Sequence, residues 1–167
     1  TLISSSDLNA LYTLTPSYNS NCIYRVNTNT NGEFFLLENN RSLINAQSSY
    51  WINDTLGGML IYHIHSGIEE AIAQQNVNNS HPQKCYIVCA NANSNPTSTP
   101  SSYGCVGKDC AYPNNNKIFF TSNSMPSAIS WAGVATGVDI CFIQRDNDNI
   151  KFVVNPKING PDVLSTQ

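Results

Sequence analysis

The stretch Met59-Leu60-Ile61-Tyr62-His63-Ile64 is rich in apolar and aromatic positions, follows the breaker Gly57-Gly58 and leads into His65-Ser66-Gly67. This pattern predicts a strand turning into a helix. With a period of two, Met59, Ile61, His63 and His65 share one face, and Leu60, Tyr62 and Ile64 take the other. Ile68, Ala71 and Ile72 then recur at helical spacing. Ser66-x-x-Glu69 has the form of a capping box. Glu69 and Glu70 fall in the first turn, where the helix dipole favours negative charge. The competing pattern is one helix over 56–75. On a strand the two histidines point the same way; on a helix they diverge by about 200°.

Other segments read by the same logic. Ser6 is placed to cap a short helix over Asp7 to Tyr12, ended by Pro16. Cys22-Ile23-Tyr24-Arg25-Val26 and Glu33-Phe34-Phe35-Leu36-Leu37 flank a polar turn whose Asn31-Gly32 supplies positive φ angles, a hairpin signal. Leu43, Ala46 and Tyr50 have helical spacing, so 43–52 is predicted as a short amphipathic helix. Lys84 to Ala90 and Lys117 to Thr121 read as strands. Val138 to Ile143 pairs with Ile150 to Val154 across a polar turn, the clearest hairpin in the chain. The residues after Asn155 are broken by Pro and Gly and predict irregular structure. The expected class is α+β, with residues 1–167 as a single domain. It is mainly an antiparallel sheet built from hairpins, with one or two helices, stapled by disulfides.

Composition narrows the setting. Charged residues make up 11% of 167, net charge is -3, and Lys and Arg total 8. Asn, Ser and Thr therefore carry the burden of solubility. The basic residues are scattered, which argues against nucleic acid as a partner. No apolar run approaches the roughly 20 residues that span a bilayer, so no membrane insertion is expected. Six cysteines, an even number, fit an oxidising compartment and a secreted, periplasmic or cell-surface location. Cys85-x3-Cys89 and Cys105-x4-Cys110 approach zinc-ligand spacings, but neither is C-x2-C and no H-x3-5-H pair follows, so no metal is expected. No cofactor fingerprint is present either.

Strand geometry restricts the disulfides. On one strand, Cys85 and Cys89 would lie about 13 Å apart, and a disulfide needs roughly 4.4 to 6.8 Å between Cα atoms. The expected scheme is therefore local pairing of Cys105 with Cys110, with Cys85 and Cys89 taking Cys22 and Cys141 in either order. The Cys105–Cys110 bridge would staple the long polar stretch from Asn91 to Asn116.

Two places carry candidate chemistry. His63 and His65, with Ser66 and Glu69 beside them, end a strand at a helix N-terminus, an arrangement that suits acid–base or nucleophilic work. The same residues also read as hydrogen-bonded polar groups and an ordinary cap. The 91–116 stretch offers Tyr103, Tyr112, Asn114 and Asn115, and aromatic faces with amides suit recognition of a glycan or a protein surface. The leading expectation is a secreted or surface-displayed binding and adhesion module using that stretch. The alternative is a secreted histidine-dependent hydrolase. A third is a structural subunit of an extracellular assembly.

Overall fold

The computed structural model describes residues 1–3, 9–40, 57–95, 109–114 and 116–156. Among these residues, eight strands and two short helices follow in the order β1 (Leu2–Ile3), β2 (Leu11–Leu14), α1 (Ser17–Ser20), β3 (Ile23–Asn27), β4 (Phe34–Asn40), β5 (Gly58–Ile64), α2 (Ile68–Ala73), β6 (Cys85–Ile87), β7 (Ile140–Asp146) and β8 (Asn149–Val154). They form two sheets, one of five strands ordered β1-β3-β4-β5-β6 and one of three ordered β2-β8-β7. Every pairing is antiparallel except the short β1–β3 edge. The class is thus mainly sheet with two short helices.

The core lies between the sheets. Along β4, Phe35 and Leu37 turn inward; along β5, Met59 and Ile61 do; along β8, Ile150, Phe152 and Val154 do. The period-two pattern of each strand puts these residues on one face. Tyr12 of β2 stacks on Phe152, and Tyr24 of β3 meets the same ring edge-on at 6.0 Å, so aromatic contacts bind one sheet to the other. Asn39 reinforces the seam. Its buried amide donates to the Leu14 carbonyl at 3.0 Å and the Asp148 carbonyl at 2.9 Å. The opposite face of β5 builds a smaller apolar cluster, in which Leu60, Cys89, Cys110 and Ala111 pack with Tyr62 and Ile87.

The hairpin β3–β4, the strand β5 running into α2, and the hairpin β7–β8 stand where their patterns placed them. The helix expected over Asp7 to Tyr12 is corrected: Leu11 and Tyr12 belong to β2, which pairs with β8. That partner is far away in sequence, and its apolar face overrides a weak local helical signal. The strand expected over 84–90 ladders only at Cys85–Ile87. After the bond from Val88 N–H to the Ile61 carbonyl, the chain turns to Cys110. Segment 117–121 joins no named strand and touches β7 through the reciprocal Phe120–Ile140 bridge. The helix expected over 43–52 lies outside the described residues.

Among the described residues no disulfide forms, which corrects the expected scheme for Cys22, Cys85, Cys89 and Cys141. Topology supplies the reason. Cys22 precedes β3, three strands across from β6; at about 4.8 Å per strand this is roughly 14 Å, well beyond disulfide reach. Cys141 sits in the other sheet, whereas Cys85, next to inward-facing Tyr86, faces away from the core. Cys89 lies in the outer cluster with Cys110. Cys105 is outside the described residues, and with it the expected Cys105–Cys110 pair.

Candidate functional site

The hairpin turn between β3 and β4 and the turn from β5 into α2 form the two walls of an open groove of about 600 Å³. Thr28 organises the first wall: its hydroxyl donates to the Glu33 carbonyl at 2.7 Å and accepts the Thr30 amide at 3.1 Å. The Asn29 amide ties this wall to the Thr136 carbonyl at 2.8 Å. Gly32 sits at φ 78°, and a Cβ there would come within 2.5 Å of Ser66 Cβ. Only glycine lets the two walls meet this closely.

The second wall carries His65, Ser66 and Glu69. The capping box expected at Ser66 is not formed. Gly67, in the left-handed region, is the N-cap, no side chain caps α2, and Ser66 is left exposed. His65 Nδ1 lies 2.7 Å from the Ser66 carbonyl and 3.1 Å from Lys84 Nζ. The Ser66 carbonyl can only accept and the Lys84 ammonium can only donate, so Nδ1 satisfies one of these two contacts at a time.

His63 is one residue pair further back and belongs to the interior. Its Nε2 donates to Glu33 Oε2 at 2.7 Å, and both side chains are buried. The ring stacks on Trp131 at 5.2 Å with a 6° interplanar angle and touches Phe35 at 4.9 Å. The Trp131 amide donates to the same Glu33 oxygen at 3.2 Å, and His81 meets the Trp131 ring edge-on. Burial pushes the Glu33 pKa up; the His63 hydrogen bond and charge, the Trp131 amide and His65 outweigh it and hold the carboxyl below its ordinary value. The expected sharing of one face by the two histidines therefore does not bring their nitrogens to one point. His65, Ser66 and Glu69 line the groove, while His63 reaches it only through Glu33.

Most residues that line the groove are polar. Arg25 lies over the Phe34 ring at 3.8 Å and donates to Asn27 Oδ1 at 3.0 Å. This one guanidinium shares the lining with three acidic residues, Glu69, Glu70 and the buried Glu33, so the lining is net negative. Such a lining suits neutral or basic ligands over anions. Three or more metal-binding side chains do not gather anywhere among the described residues.

Of the residues expected to bind through the 91–116 stretch, Tyr112 and Asn114 do not line the groove. Tyr112 is 0% exposed, packs edge-on against Phe120 and bridges Met59 through its backbone, so its ring is core and offers no contact surface. Asn114 is half-buried and donates to the Asp109 carbonyl. Tyr103 and Asn115 lie outside the described residues. Sequence reasoning missed Arg25, Asn27 and Glu33. The hairpin signal placed Glu33 at a strand start but nothing local linked it to His63.

No protein-family model, curated protein or solved structure matches this chain. Among the described residues no helix is long and apolar enough to cross a membrane.

Proposed function

We propose that this protein is a secreted or surface-displayed binding and adhesion module that recognises a glycan or a protein surface through the groove between the β3–β4 turn and the β5–α2 turn. The observation that carries the reading is the groove itself. An open space of about 600 Å³ is lined by amides, hydroxyls and charges of both signs on two pinned turns. Pre-organised polar groups of this kind lose little entropy on binding. Low charge and an even number of cysteines support an extracytoplasmic setting. The test is a screen of glycan and protein arrays with the wild type and with Arg25→Ala and Asn27→Ala. Binding lost in both variants supports the reading, and binding indifferent to both removes the groove from it.

The gathering of His65, Ser66 and Glu69 on one wall favours hydrolysis as a second reading. His65→Ala abolishing turnover of an ester or glycoside panel, with the melting temperature unchanged, would place catalysis above binding.

A further inference from the structure

A second site stands on the other sheet. Strand β7 slips in register between Cys141 and Gln144, and Phe142, inside the slip, has φ 55°. A bulky residue in the left-handed region is strained, and such strain persists where the surroundings impose it. The bulge lets Ile140 and Ile143, three residues apart, both face the core while Phe142 is turned out, 53% exposed. Alongside, Phe120 pairs with Ile140 and points inward, so Phe119 points outward at 40% exposure. The two outward rings meet at 5.3 Å and 68°. Among the described residues this is the aromatic pair with both rings exposed.

The rings form one side of a hollow of about 430 Å³ whose polar side holds Thr121, Asn123, Ser124 and Asp139. The Ser124 hydroxyl is occupied by the local turn, donating to the Pro126 carbonyl at 2.7 Å. The Asn123 amide is exposed, and Asp139 uses Oδ1 for a long contact with the Ser122 amide. No Lys or Arg lines the hollow, so Asp139 is its one formal charge. An anionic partner would meet no counter-charge there. A wholly apolar partner would bury Asp139 without compensation, which is costly. A neutral ligand with a C–H face and a hydroxyl edge meets both sides of the hollow.

We infer that the Phe119–Phe142 hollow binds an uncharged saccharide, with the two rings taking the C–H face of a pyranose and Asn123 and Asp139 taking its hydroxyls. The site shares no residue with the groove of the proposed function and does not depend on it. The test is an NMR titration of the full chain with neutral cello-, malto-, manno- and chito-oligosaccharides, each to about 10 mM, a range that detects millimolar affinity. At least one probe is expected to shift the amides of Asn123, Asp139 and Phe142 saturably. Phe119→Ala and Phe142→Ala should each weaken that binding roughly tenfold, and Arg25→Ala should leave it unchanged. Phe142→Asn, which tolerates positive φ, serves as the second variant if Phe142→Ala fails to fold. The inference is overturned if no probe shifts these amides, or if the shifts survive in the Phe variants. It is equally overturned if only dextran sulfate or detergent micelles shift them. Shifts that follow protein concentration alone would instead assign the hollow to a second copy of the chain.

Discussion

Glu33 Oε2 accepts the Nε2 proton of His63 at 2.7 Å, and neither side chain has more than 6% of its surface exposed. Glu33 also takes the Trp131 amide, so one carboxylate joins the start of β4, the end of β5 and the loop that carries Trp131. Removing one partner leaves the other buried and unsatisfied, which costs more than the pair itself contributes. Glu33→Ala and His63→Ala should each lower stability by about 2 to 4 kcal/mol, measured by urea denaturation. The double variant should lose clearly less than the sum. Full additivity would show that the two side chains act independently.

The same carboxylate gives stability a defined pH dependence. Its folded pKa is depressed because the contacts from His63, Trp131 and His65 outweigh burial. Its contribution is therefore fully present above the unfolded value, about 4.3, and is lost as pH falls through the lower folded value. The melting-temperature gap between wild type and Glu33→Gln should be wide above about pH 5 and should close on further acidification. A gap that widens towards pH 3 would contradict the assignment.

Tyr112 buries its hydroxyl with no hydrogen-bond partner among the described residues, and burial, with Cys89 and Tyr86 adding, pushes its pKa far above the ordinary phenol value. An unpaired buried hydroxyl is a cost, so Tyr112→Phe should be neutral or stabilising by about 1 kcal/mol. A loss of more than that in thermal melts would reveal a polar partner for the hydroxyl.

Gly32 and Ser66 hold the groove walls together. Gly32→Ala adds a Cβ at 2.5 Å from Ser66 Cβ and also strains a backbone at φ 78°. The expected loss is about 2 kcal/mol. Adding Ser66→Gly should recover the steric part and leave the backbone part. If the double variant recovers nothing, the close approach is not what selects glycine.

Burial, with the Asp139 charge adding, pushes the Cys141 thiol up to about 11. At pH 8 its thiolate fraction is then on the order of a hundredfold below that of an ordinary cysteine. Under reducing conditions iodoacetamide should label Cys141 far more slowly at pH 8 than it labels a free thiol such as glutathione. Rapid labelling at pH 8, read by mass spectrometry, would mean that Cys141 is exposed or activated.

Both hairpins, β5 and α2 were legible in the sequence, because each combines a period-two or period-3.6 pattern with turn residues a few positions away. The nearness of His65, Ser66 and Glu69 was legible for the same reason. Glu33 was not, since its partner His63 comes from the neighbouring strand and the register that joins them follows from the whole β4–β5 ladder. From the sequence Tyr112 reads as a surface ring because its neighbours are polar. Its burial comes from Met59 and Phe120, distant in the chain.

The sequence by itself determined which residues alternate, which turns close and how little charge the surface carries, because these depend on residues near one another along the chain. Tertiary structure alone decided that Leu11 to Leu14 is a strand, that Cys22 and Cys141 lie apart from Cys85, and that Phe142 is turned out to solvent. Each of those outcomes depends on which distant apolar face a segment meets. That choice is made by burial and sheet hydrogen bonding over the whole molecule, where a favourable long-range partner outweighs a local preference of a few tenths of a kcal/mol per residue, about the scale of intrinsic propensity.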